Sequence, residues 1–342
     1  MRHPQMCSRF ACVAAASFAL LGPPSVAMAQ PAGWTPPRTA EGRIDLTGVW
    51  ANNAATPLER PDSLADKAVF SDEEVAQLRA SAARLFGGGD DAAFADGVFN
   101  AVLADVEKNV SGDGGTGNYS SVWMVDREFE NRTSLITDPP DGKLPARTQE
   151  AEARIEAARA RQREHPADGP EDLSRQVRCI TYGIPRVGGL GAGYNSYYQI
   201  VQTPTHLVML GEMIHDARVI PIGAGAHAHD AIRLWHGDSR GRWEGDALVV
   251  ETTNYSPKAA YLGSAENLHL IERFTLAGPG RLHYEITVTD PTTWTRPWTA
   301  MVPMSHSADP LFEYACHEGN IGMAGILAGA RMDEAAADLA AR

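Results

Sequence analysis

The sequence predicts a mainly β chain that closes into an antiparallel up-and-down barrel, with a helical insertion near its start and a helix at its end. Three observations lead there. Apolar and polar residues alternate with period two from Tyr197 onward. The breaks between these runs are short turn sequences, Thr203-Pro204-Thr205, Glu244-Gly245-Asp246 and Gly278-Pro279-Gly280, which join neighbouring strands antiparallel. With 32 Gly and 22 Pro among 342 residues, long helices do not dominate, while 44% hydrophobic residues suffice for a packed core.

The elements follow in order. Residues 1–29 have the pattern of a secretory signal peptide. Arg2 and Arg9 are its positive end, Ala11 to Leu21 its apolar stretch, and Ala27-Met28-Ala29 its cleavage site, so a periplasmic or secreted chain is expected. A Pro-rich leader occupies 30–43, and 44–320 is expected to form a single barrel domain. Its first strand, Ile44 to Trp50, is followed by a helical insertion at about 57–110. There Ser71 caps a helix with Asp72, Glu73 and Glu74 in its first turn, and Asp91 to Asn109 gives a second helix. Ser111 to Asn118 is Gly-rich but lacks the Lys-Ser/Thr ending of a phosphate loop. Ser120 to Val125 and Arg132 to Thr137 are strand-like, and Thr148 to Glu164 is an exposed helix.

Eight further strands are expected at Tyr197–Gln202, His206–His215, Arg218–Ile222, Arg242–Tyr255, His269–Leu276, Arg281–Asp290, Thr295–Met304 and Leu311–His317. With the first strand they suffice to close a barrel, which removes exposed edges; an open curved sheet or a sandwich is the alternative. Residues 321–342 end the chain as an Ala-rich helix.

Charge narrows the functions. Lys plus Arg number 30 against 43 Asp plus Glu, a formal charge of −13, which argues against nucleic-acid binding. Beyond the signal no apolar run is long enough to span a bilayer, so no membrane insertion is expected. No dinucleotide fingerprint or Walker motif is present, so no organic cofactor is expected. Cys7 and Cys12 leave with the signal. Cys179 and Cys316 remain as a candidate disulfide, worth ~4–5 kcal/mol in the chain-entropy description, or as two separate buried thiols.

Polar side chains within apolar strands mark the candidate site. Glu212 is expected on one face with Val208 and Leu210, and Glu272 on one face with Leu270 and Phe274. A carboxylate in such a place is costly unless paired, and two of them with separated pKa values can act as acid and base. The structural alternative pairs each with Arg218, Arg242 or Arg273. His215 is the natural general base, and Arg218 suits a carboxylate or oxyanion. Glu313 and His317 are expected on one strand face, with His317 as a fourth candidate beside Glu212, His215 and Glu272. Arg240 and Arg242 are candidate clamps, in a segment expected to be a turn, and Tyr197, Trp243 and Trp298 are candidate pocket aromatics, with Tyr194 and Trp294 as further ones. His227, His229 and His236 have an H-x-H-x6-H spacing, but their Gly/Ala-rich surroundings favour solvated loop histidines, and no metal is expected.

Several segments together resemble a widespread family of secreted, uncharacterised bacterial proteins. They include Asp45 to Trp50, Arg132 to Ile136 with Asp138 to Gly142, Arg178-Cys179, Gln199 to Pro204 and Glu212 to His215. The most distinctive run is Gly237-Asp238-Ser239-Arg240-Gly241-Arg242-Trp243-Glu244-Gly245-Asp246, followed by Thr295-Arg296-Pro297-Trp298 and Glu313 to Asn320. The resemblance implies export and brings no activity with it. Where that family has a Gly-Arg-Pro-His turn, this chain has Ala224-Gly225-Ala226-His227. Gly48-Val49-Trp50 also resembles the start of lipocalin-like barrels.

The expected function is cofactor-independent acid–base chemistry on a small organic substrate, by a lyase, isomerase or hydrolase. The rival is a non-catalytic barrel that holds a small apolar ligand. Carboxylates facing a reachable pocket favour the enzyme, and full ion pairing around an apolar cavity favours the binder.

Overall fold

The computed structural model describes residues 33–86, 96–104, 127–183, 195–223 and 225–341. The expected signal, the Gly-rich stretch at 111–118, the strand at 120–125 and Tyr194 lie outside them. Ten strands form one sheet: β1 (Gly48–Ala51), β2 (Ile136–Asp138), β3 (Tyr197–Gln202), β4 (His206–Gly211), β5 (Ala217–Pro221), β6 (Asp238–Glu244), β7 (Ala247–Thr253), β8 (His269–Gly278), β9 (Arg281–Thr289) and β10 (Trp298–Ser307). The helices are α1 (Asp72–Phe86), α2 (Asp96–Leu103), α3 (Gln149–Glu164) and α4 (Ile321–Ala340). No helix among the described residues is long and apolar enough to cross a membrane.

The order along the sheet is β5-β4-β3-β1-β10-β9-β8-β7-β6, with β2 beside β10. Every ladder is antiparallel, and short turns make the reversal at β3–β4, β4–β5, β6–β7 and β8–β9. The edges β5 and β6 share no ladder among the described residues. They touch at a single parallel bridge, Ile222 to Gly241, where the Gly223 amide donates to the Gly241 carbonyl at 2.8 Å. Glycine permits this approach: a Cβ on Gly241 would lie 3.3 Å from both Ile220 and Ile222.

In β8 and β9 burial alternates strictly, as period two requires. Leu270, Glu272, Phe274 and Leu276 face inward, opposite Leu282, Tyr284, Ile286 and Val288. The interior continues through Ile200, Leu207, Ile220, Leu248 and Trp298. A separate cluster of Phe70, Val75, Leu78, Phe99, Val102 and Phe129 packs the helical insertion. Ser71 caps α1 reciprocally with Glu74, and Thr148 caps α3.

Three expectations change. Leu311–His317 forms no strand; the last strand ends at Ser307, so Glu313 and His317 share no strand face and both are exposed. The run expected as one strand over Arg242–Tyr255, with the polar segment before it, is the hairpin β6–β7. Gly245, at φ 60°, makes its turn, and Asp238 to Arg242 lies in a strand. Finally β4 stops at Gly211. Its buried residues are Leu207, Met209 and Gly211, so Glu212 is not in register with Val208 and Leu210. A 3-10 turn over Met213–His215 follows.

Candidate functional site

Two polar clusters meet one cavity, and they are built differently. The first stands on ladder strands. Arg218 of β5 grips Glu272 of β8 with both terminal nitrogens, Nη1 to Oε1 at 2.9 Å and Nη2 to Oε2. Its Nε and Nη2 also donate to Ser239, at 3.0 and 2.8 Å, and Nη2 to Thr252 at 2.6 Å. Tyr284 and Thr252 donate to the same carboxylate. Only 6% of the Arg218 side chain and none of Glu272 is exposed. Burial works against the guanidinium charge, but the neighbouring Glu272 outweighs it and raises the Arg218 pKa. Burial also raises the Tyr284 phenol well above its ordinary value, so it remains a donor. This is the ion pairing set out above as the structural alternative for Glu272.

The second cluster stands on connections. Thr181 lies two residues after Cys179, Asp216 follows the Met213–His215 turn, and His236 lies near the end of the loop between β5 and β6. The Thr181 hydroxyl donates to Asp216 Oδ2 at 2.7 Å and contacts His236 Nε2 at 2.7 Å. The Tyr182 amide donates to the same Asp216 oxygen at 2.8 Å, and the Gly183 amide to Thr181 Oγ1 at 2.8 Å. Asp216 and His236 each keep 19% of their side-chain surface exposed. Burial alone would raise the Asp216 pKa; the neighbouring His236, with Nε2 3.6 Å from Oδ2, and hydrogen bonds from Thr181 and the Tyr182 amide overcome that and lower it.

The backbone under this cluster is strained. Ile214 has φ 64° and His215 φ 47°, a left-handed pair that costs about 1–3 kcal/mol for each residue, most for the β-branched one. The turn is held by Gly211 N to Asp216 O at 2.8 Å and by His215 Nδ1, which donates to Tyr314 O at 2.8 Å. Cys179 and Cys316 are joined as a disulfide with Cα atoms 5.7 Å apart, tying the Thr181 segment to the one that carries Tyr314.

Between the clusters lies a cavity bordered by Met209, Met213, Met304, Asn52, Tyr198 and Tyr284, together with Asp216, Arg218 and His236. About 50 Å³ of it is open to water centres, room for a few waters or a short organic molecule.

The expected site residues divide. Arg218 and Glu272 come together in the interior. Glu212 is buried at the turn, its amide bonded to Tyr197 O at 3.0 Å. His215 and His317 face each other at the surface, ring centres 5.9 Å apart. Arg240 pairs with Asp238 at 2.6 Å and Arg242 with Glu244 at 2.8 Å, both away from the cavity. Trp243 lies under Arg43, and Trp298 packs on Trp294 and Tyr261 in the core. His227 bonds Asp238 and His236 bonds Thr181, so the three loop histidines do not converge. Among the described residues no group of three or more His, Cys, Asp or Glu is placed to hold a metal.

Sequence reasoning missed Thr181, Asp216 and the role of His236. Asp216 carries no sequence signal beyond its place next to His215, and His236 entered only as the third member of a histidine spacing. No protein-family model matches the chain, and no curated protein is similar enough to it to be counted as a match.

Proposed function

We propose that the chain is an exported, lipocalin-like up-and-down barrel that performs acid–base chemistry on a small organic molecule with its own side chains, as a lyase, isomerase or hydrolase. One observation carries this reading. A methionine-lined cavity has on its wall a carboxylate and an imidazole, Asp216 and His236, both partly reached by solvent. Burial of a polar pair that the sheet does not need is costly, which favours a working role. Export agrees with the Cys179–Cys316 disulfide.

A second reading, a non-catalytic binder of a small apolar ligand, draws on the mutual pairing of Arg218 and Glu272. That pairing leaves the inner carboxylate as a brace. The test is a small-metabolite screen on purified oxidised protein, read first by melting temperature and then by NMR of each hit. A hit that is converted supports the enzyme. A hit recovered unchanged at every protein concentration supports the binder instead, and no hit at all rejects both.

A further inference from the structure

We infer that His236 is held as the Nε2–H tautomer with a basic Nδ1, and that this nitrogen takes a proton from carbon next to the carbonyl group of a small neutral substrate. The inference rests on the proposed acid–base function and names its base and substrate class. It begins with the protons around Thr181. A threonine hydroxyl has one proton to donate and two lone pairs to accept with. Asp216, whose lowered pKa keeps it ionised, lies 2.7 Å from Oγ1 and can only accept, so the hydroxyl proton belongs to that contact. The Gly183 amide fills one lone pair. His236 Nε2, at 2.7 Å, must then fill the other by donating. Nδ1 is left as the lone-pair nitrogen, with no protein partner among the described residues.

The same count removes a rival chemistry. A nucleophilic threonine gives its proton to the histidine, but Thr181 gives its proton to Asp216 and accepts from His236. Thr181 and Asp216 are therefore positioning residues.

Charge and size set the substrate class. Among the described residues that border the cavity, the Arg218 charge is matched by Glu272, and Arg175 lies within electrostatic reach of Asp216, which favours a neutral molecule over an ion. Met209, Met213 and Met304 suit a short apolar body. Arg218 Nη1 makes one hydrogen bond, to Glu272, and has a second hydrogen on a group that borders the cavity. In the step, a C–H bond next to the carbonyl breaks and its proton forms an N–H bond at Nδ1. The electron pair moves into the carbonyl and onto its oxygen, which accepts a hydrogen bond from Arg218 Nη1. The imidazolium returns a proton to the original carbon or to another atom of the same molecule. Nothing else is consumed, and return to another atom is an isomerisation.

Two measurements test this on the purified oxidised protein. The first is nitrogen-15 NMR of the histidines, with His236 assigned by its loss in His236→Gln. Nε2 should resonate as N–H and Nδ1 as unprotonated, and Thr181→Val should weaken that preference. The second follows deuterium entry beside the carbonyl of butanone, cyclopentanone and cyclohexanone in heavy water. Exchange should exceed the protein-free rate and fall about 100-fold or more in His236→Gln. In Thr181→Val, kcat should fall more than KM changes, which a merely structural role would not produce.

An Nδ1–H tautomer overturns the inference. So does exchange that is no faster with the native protein than with folded His236→Gln. In either case a metabolite that is still converted leaves the broader acid–base reading in place. If neither variant folds, the native tautomer and the native exchange rate still decide.

Discussion

The two polar clusters on the cavity differ in what holds them and in how much of their hydrogen-bonding capacity is spent within the cluster. Arg218, Ser239, Thr252, Glu272 and Tyr284 sit on ladder strands and satisfy one another almost completely. Thr181, Asp216 and His236 sit on connections beside a strained turn and a disulfide; Asp216 and His236 keep some exposure while Thr181 is buried. A buried group offers a substrate only what its partners leave over, such as the second hydrogen on Arg218 Nη1. A partly exposed one with a free lone pair can work, and loops on a rigid scaffold are where such groups are found.

The largest effect should come from breaking the strand-borne pair. Glu272→Ala strands the Arg218 charge and should lower stability by about 3–5 kcal/mol in urea unfolding. Replacing both partners, with Arg218→Met and Glu272→Leu, should recover most of that loss. A double variant as weak as the single one would mean that the cluster does more than brace. Next, Cys179→Ser with Cys316→Ser should cost about 2–5 kcal/mol. Amide exchange should then quicken at Tyr182 and Gly183 while β8 and β9 keep their protection, and equal loosening everywhere would erase the contrast between the clusters.

Asp216→Asn should cost about 1–3 kcal/mol near neutral pH, because an acceptor of hydrogen bonds is replaced. The acid range gives the sign. The Asp216 pKa is lower in the folded chain than its ordinary value, so its ionised form favours folding above that ordinary value. That contribution fades as pH falls below about 4 and through the folded value. Thermal melts from neutral to strongly acid conditions should show the native protein losing more stability over this window than Asp216→Asn does; parallel curves would contradict the assignment. The smallest effect belongs to the surface. Arg242→Ala removes an exposed pair with Glu244 and should change stability by about 0–1 kcal/mol without altering the response to a cavity ligand.

Strand content was legible, and so was Glu272 as an inward carboxylate that needs a cation, because period two and a charged residue within it are local patterns; which of Arg218, Arg242 and Arg273 meets it was not. Gly241 hid β6: a polar segment with a central glycine looks like a turn until its neighbour requires the close approach. Leu311–His317 misled for the opposite reason. Its alternating residues suit a strand, but β10 already occupies the place beside β1. Glu212 followed an alternation that ends at Gly211, where the left-handed Ile214 redirects the chain. The Thr181, Asp216 and His236 cluster was illegible because its members come from three connections and are joined by hydrogen bonds that no spacing encodes.

The single parallel bridge between β5 and β6 has a consequence in parity. Nine strands lie along the path of the sheet and reverse direction at every step. An odd count leaves the first and last pointing the same way. Strands that run the same way cannot be joined by a hairpin, and the chain needs a long overhand crossing to move from one to the other. Residues 222–237 make that crossing, and His236 lies near its end. An even count would permit a tight turn between the two and leave no long connection to carry the imidazole. The ninth strand thus requires the long connection that brings His236 to the wall of the cavity.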